Sequence, residues 1–191
     1  MAPSHCRRLG LAALVAVTVA VAAAVPGVAA ANDAAAAAAA APDECVSSPP
    51  RVVRLNPDGL FDAAPFGYTQ LSVDTEAGVV YLSGQAALLD DATVVPGDLR
   101  AQAKVVRENI LTGLAAVGSA PADILRMTTF IVDYNEETDE AAIIEMGEEL
   151  GRPSHTVVGV RALAFAGMRV EVEVTAVVPA AKLAELRHCR A

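Results

Sequence analysis

The chain has 191 residues, 54% of them hydrophobic but only 4% aromatic, with no Trp and a net charge of −9. This length fits one domain with extensions; nineteen of the 41 Ala fall in the first 50 residues, so the core is shorter than the chain and rests on Val, Ile and Leu. The acidic balance repels phosphate backbones and anionic lipid, which excludes nucleic acid and membrane surfaces as expected partners.

Residues 1–30 have the layout of a secretory signal peptide. Arg7 and Arg8 make a basic start, Leu9 to Val25 is an apolar run, and small residues precede a cleavage point after Ala30 or Ala31. The Arg pair fits ordinary or twin-arginine export. The mature protein is expected to be secreted or periplasmic, with no membrane attachment after cleavage; an uncleaved anchor is the alternative, with about 17 apolar residues at the low limit for a span. Residues 31–48 form an Ala-rich linker, since the tract Ala34–Ala41 has no face to bury. The fold is expected over 49–180, followed by a C-terminal tail at 181–191.

Of three cysteines, Cys6 leaves with the signal, while Cys45 and Cys189 flank the domain. In an oxidising compartment an even pair outside the core reads as a disulfide. Such a bridge contributes about 4–5 kcal/mol in the chain-entropy model. Two free or intermolecularly paired tail thiols are the alternative. His188 beside Cys189 makes no zinc site by itself. With no Gly-rich phosphate loop after a strand and no His pair at zinc spacing, neither a cofactor nor a metal is expected.

Arg51–Leu55 is a strand closed by the turn Asn56-Pro57-Asp58-Gly59. Tyr68–Val73 and Val79–Leu82 form a hairpin around Glu76-Ala77-Gly78. Asp98 caps a helix whose apolar positions Leu99, Ala103, Val106, Ile110, Leu114 and Val117 make one stripe, ended by Gly118. Ile124–Val132 is a β-branched strand. Asn135 caps a second helix to Leu150, with Ala141, Ile144 and Leu150 expected on its inner face and Gly151 as its stop. Thr156–Val160 and Arg169–Val177 are the last strands. The latter alternates strictly: Val170, Val172, Val174 and Ala176 face one way, Arg169, Glu171, Glu173 and Thr175 the other. The order β-β-β-α-β-α-β-β predicts an α+β fold with two helices on one face of a mixed sheet. The polar set on the last strand points to a subunit interface or cleft on the other face.

Four segments carry a family resemblance: Gly67-Tyr68-Thr69-Gln70, Tyr81-Leu82-Ser83-Gly84-Gln85, Thr128 to Asp133, and Arg152-Pro153-Ser154-His155 through Val160 followed by Val170-Glu171-Val172-Glu173. From Arg51 to Pro179 the chain resembles the Rid family (reactive intermediate deaminases, YjgF-like). The resemblance implies a chorismate-mutase-like fold and a homotrimer with small-molecule clefts between subunits. Active members hydrolyse enamines and imines such as 2-aminoacrylate to a keto acid and ammonia. That reaction takes a cation for the substrate carboxylate and a positioned water.

By this resemblance Glu171 is the water-orienting, catalytic acid. Tyr68, Ser83, Gly84 and His155 bind the ligand. His155 stands where the family carries Arg, Ala141 where it carries Asn, and Val157 where it carries Cys. A largely neutral imidazole cannot make the guanidinium fork. Arg152 reads as a cap near the C-terminal end of the second helix or as a replacement cation. The expected function is therefore a trimer binding a small carboxylate or imine metabolite between subunits, without arginine-dependent deaminase activity. An imine hydrolase of altered preference and a trimeric scaffold for a protein partner are the alternatives.

Overall fold

Val80, Leu82, Val170, Val172, Val174 and Ala176 are each at most 3% exposed, because alternate residues of neighbouring strands share one covered face. The structure, a computed structural model, describes residues 50–89 and 91–188. The signal, the linker with Cys45, and Cys189 lie outside the described residues.

The strands are β1 (Val52–Leu55), β2 (Leu71–Asp74), β3 (Val79–Ala86), β4 (Ile124–Val132), β5 (Ser154–Val160) and β6 (Val170–Val177). They form one six-stranded sheet in the order β1-β2-β3-β6-β4-β5. Only the β4–β5 pair is parallel, as a crossover through a helix requires. The expected mixed sheet is present, with β3 and β5 longer at one end than the sequence suggests.

Helix α1 (Leu99–Ala116) starts at Asp98, whose carboxylate accepts the Ala101 N–H at 2.9 Å. The predicted stripe from Leu99 to Val117 is buried throughout, and α1 packs on β3, β6 and the next helix. Helix α2 (Glu136–Glu149) starts at Asn135, whose side chain accepts the Glu137 N–H. Glu136, Glu137 and Asp139 in its first turn suit the helix dipole. Its inner face differs from the expected one. Ala142, Ile143 and Met146 are buried with Leu150, while Ala141 is exposed and Ile144 is 54% exposed. Phase is the reason: of two adjacent Ile, helical geometry lets one face the sheet.

Helix α3 (Ala180–His188) occupies the stretch read from sequence as a tail. Leu186 is buried, and Arg187 donates two hydrogen bonds to the Thr75 carbonyl, at 2.5 and 3.2 Å. The sheet face opposite α1 and α2 carries Tyr81 at 53% and Val177 at 42% exposure, together with Glu171, Glu173 and Thr175.

Candidate functional site

At the end of β3 the register with β6 shifts between Leu82 and Gln85, which places Ser83-Gly84 in an irregular turn of strand. The Ser83 hydroxyl donates to the Thr69 carbonyl at 2.7 Å, and its N–H donates to the Gln70 carbonyl at 2.9 Å. Both hydrogens of Ser83 are thus used internally, leaving its Oγ as an acceptor. Beneath it, the Gln85 amide donates to Gln70 Oε1 at 2.8 Å, and Gln70 in turn donates to the Phe61 carbonyl at 2.6 Å. Both glutamines are 3% exposed, so this pair is a fixed support under the strand end.

Glu171 on β6 leans over Gly84. A Cβ at residue 84 would lie 2.6 Å from Glu171 Cδ and 2.9 Å from its Cγ. Glycine is therefore what admits the carboxylate. Burial, and secondarily Glu173, push the Glu171 carboxyl up from its ordinary range. Tyr68 follows Gly67, whose φ of +81° closes the short turn Ala64–Phe66. Its phenol is raised by burial first and then by the Glu171 charge, which places the two within electrostatic reach. Tyr68, Ser83, Gly84 and Glu171 therefore come together.

His155 does not join them. It pairs in register with Met127 on β4, whereas Glu171 pairs with Phe130. Residues 127 and 130 differ by an odd number, so the two side chains leave opposite faces of the sheet. His155 points under α2. Its Nε2 lies 2.8 Å from the hydroxyl of Thr129, which is fully buried. Burial pushes the imidazole below its ordinary value, so the ring is neutral at pH 7.

His155 lies in a groove of about 550 Å³ between α2 and β5. Ile143, Ile144, Val157 and Pro153 supply apolar lining; Tyr134, Glu140, Glu148 and Arg152 supply the polar part. Arg152 is ion-paired with Glu148 at 2.6 Å, near the end of α2. Val157 lines the groove, while Ala141 is not among its lining residues. A second groove, of about 470 Å³ between α1 and α2, is lined by Arg100, Lys104 and Arg107, of which Arg100 pairs with Glu145 and Arg107 with Glu149.

Thr129 and Tyr134 were not singled out by the sequence. Thr129 sits 26 positions from His155, and only strand register brings them together. Phe61, Phe66 and Phe165 form a ring cluster with centroids 5.1–6.4 Å apart, and no spacing in the chain announces it.

The depressed His155 value has a sign. Below the ordinary histidine pKa of about 6.5 the unfolded chain takes up a proton that the folded chain resists, so this contribution to stability is complete above that pH and lost as pH falls. Glu171 acts oppositely: its raised carboxyl weakens the fold as pH rises from about 4.5 through the folded-state value. Wild type and His155→Gln share the Glu171 contribution. Their urea midpoints should diverge, to the detriment of wild type, between about pH 8 and pH 5. Parallel midpoint–pH curves would mean that the imidazole titrates as freely in the fold as in the unfolded chain.

Residues 62–178 match the family model described as Endoribonuclease L-PSP. DfrA of Myxococcus xanthus is 35% identical over 127 residues, covering 61% of this chain and 91% of DfrA. TdcF of Escherichia coli (strain K12) is 34% identical over 58 residues, 30% of this chain and 45% of TdcF, so that match spans less than half of the relative. Among solved structures, protein YJGH aligns with a TM-score of 0.57 at 27% identity, covering 68% of this chain and 98% of that one. The crystal structure of E. coli TdcF with bound serine aligns with a TM-score of 0.50 at 30% identity, covering 59% and 88%.

Proposed function

Because the chain belongs to the Endoribonuclease L-PSP family, also called YjgF/Rid, we propose that it is an exported homotrimer that binds a small carboxylate or imine metabolite between subunits, without arginine-dependent deaminase chemistry. The observation that carries this reading is the division of the candidate residues. Tyr68, Ser83, Gly84 and Glu171 gather on one side of the sheet, and His155 with its groove lies on the other. One chain therefore holds two half-sites that cannot face each other. A cyclic assembly joins the half-site of one copy to the other half-site of the next. The exposed Tyr81 and Val177 on the polar sheet face support such an assembly.

The loss of arginine at His155 supports binding over deamination. A neutral imidazole bonded to Thr129 offers no fixed positive charge to a substrate carboxylate. The net charge of −9 opposes an RNA substrate, whatever the family description names. Export rests on the basic, apolar and small-residue layout of residues 1–30. The pairing of Cys45 with Cys189 belongs to the same proposal. Thr75 supports it: its hydroxyl donates to the Pro50 carbonyl at 2.9 Å and its own carbonyl accepts from Arg187, so the chain leading from Cys45 and the chain leading to Cys189 meet at one residue.

The test uses the full chain expressed in an exporting host. Intact mass should give a start at residue 31 or 32 and one oxidised cysteine pair, and sedimentation should give a trimer. Serine, 2-oxobutanoate and 3-methylbutylamine form the ligand panel. At least one should bind saturably, while imines generated in situ by an amino-acid oxidase should release ammonia no faster than in buffer. His155→Ala and Gly84→Ala should each abolish binding, and trimers of the two mixed at random should regain roughly one quarter of the sites, since each cleft takes one half from each of two chains. A monomer, a mixture without regained sites, or ammonia release above background would each overturn the reading.

A further inference from the structure

The α2–β5 groove carries a charge pattern unlike that of a carboxylate site. Its charged lining is Glu140, Glu148 and Arg152. Arg152 is neutralised by Glu148 at 2.6 Å. Among the described residues Glu140 has no ion-pair partner. The remaining polar group at depth, His155, is held by the Thr129 hydroxyl. The net charge inside the groove is therefore negative, and its lining is largely apolar.

We propose that this groove selects a small cation, a protonated amine or iminium on a branched apolar chain, and discriminates against carboxylates. The inference rests on the reading of the groove as a ligand site and narrows its ligand class. Ile143, Ile144 and Val157 would take the branched end. The ammonium would sit between Glu140 and the ring of Tyr134, which offers a cation–π face. The Tyr134 phenol is raised first by desolvation and then by Glu140, Glu136 and Asp139, in keeping with Glu140 lying near the ring. The first helical turn of α2 carries Glu136, Glu137 and Asp139, the last ion-paired with Arg169 at 3.6 Å.

Three isosteric probes separate charge from shape: 3-methylbutylamine, 3-methylbutan-1-ol and 3-methylbutanoate. Each is titrated into the exported protein at pH 7.5 and low salt, with binding followed by NMR shifts of the Ile143 and Ile144 methyls. The amine should bind about tenfold tighter than the carboxylate, with the alcohol between, a gap in keeping with exposed charges. Half-molar salt should compress the gap, and Glu140→Gln should remove most of it, weakening the amine more than the alcohol. A carboxylate that binds as tightly as the amine overturns the charge preference. If Arg152→Gln then abolishes that binding, Arg152 is the clamp and the groove remains a ligand site. Binding by none of the three overturns the ligand-site reading itself, together with the inference.

Discussion

Replacing His155 by arginine (His155→Arg) is expected to raise the affinity for a small carboxylate such as 2-oxobutanoate by about 10–100-fold. A charge-assisted hydrogen bond contributes roughly 1.5–3 kcal/mol, and each 1.4 kcal/mol is a factor of ten. The groove has room for the longer side chain, because it holds about 550 Å³ and is open beside His155. Two opposing effects are built into the site. Glu148, which already holds Arg152, lines the same groove and competes for a second guanidinium. The fully buried Thr129 hydroxyl loses its 2.8 Å partner, which costs roughly 1–3 kcal/mol of stability if it stays unpaired.

Thr129→Val separates the two effects. In the His155→Arg background it should recover part of the lost stability without changing carboxylate affinity. In the wild-type background it should destabilise, since it strands the imidazole instead. Calorimetric titration with 2-oxobutanoate and urea denaturation of all four proteins complete the cycle. A folded His155→Arg variant with wild-type carboxylate affinity would sink the assignment of residue 155 to the ligand-binding surface. With Glu148→Gln added and the affinity still unchanged, it would mean that this side chain does not reach the ligand. Ammonia release appearing in this variant alone would show that the rest of the deaminase constellation, Glu171 included, is still in place.

How much of this was legible in the sequence varies by element, and for physical reasons. The α1 stripe from Leu99 to Val117 was readable because large aliphatics recur at helical spacing behind a side-chain cap. Helix α2 was readable as a helix but not in phase. Ile143 and Ile144 are adjacent and equally apolar, yet one is 7% exposed and the other 54%. Helix α3 had almost no pattern to read, with Leu183 and Leu186 as its sole large apolar residues; its anchoring comes from the Arg187–Thr75 contact, 112 positions apart in sequence.

The candidate site divides the same way. Glu171 could be placed on the polar face because β6 alternates strictly, Val170-Glu171-Val172-Glu173-Val174. His155 could not, because Ser154-His155-Thr156-Val157-Val158-Gly159-Val160 has no clean alternation, and β5 is an edge strand with partly exposed residues on both faces. The family resemblance brought the five residues to notice, and only the β4–β5 register reveals that one of them faces away from the other four.

The chain that delivers His155 to its groove turns at Gly151, and Gly151→Ala is expected to destabilise the protein by about 2–4 kcal/mol. Gly151 ends α2 at φ +83°, in the left-handed region, and its N–H donates to the Glu148 carbonyl at 3.2 Å. Left-handed backbone costs an L-residue roughly 1–2 kcal/mol. A second effect adds to it: a Cβ here would lie 2.8 Å from the Pro121 carbonyl oxygen and 3.2 Å from its carbon. Those are backbone atoms, so relief requires α2 and the 121–123 turn to move apart. Arg152, next in the chain, is itself left-handed at φ +56° and donates its N–H to the Gly147 carbonyl at 2.8 Å. Two successive residues in that region leave little slack, and a shift at 151 is passed on to Arg152 and His155.

Gly118→Ala is the matched control. Gly118 follows α1 at φ +68°, but a Cβ there meets only Lys182 carbons at 3.6 and 3.8 Å, ordinary contact distances. It should lose the left-handed contribution alone, roughly 1–2 kcal/mol. The difference between the two variants in urea denaturation isolates the overlap with Pro121. Groove binding supplies a second readout: 3-methylbutylamine affinity should fall in folded Gly151→Ala and stay at the wild-type value in Gly118→Ala. Equal losses of stability in the two variants would show that the Pro121 contact adds nothing. Unchanged affinity in Gly151→Ala would show that the β5 end of the groove is held by its register with β4 and not by the turn that precedes it.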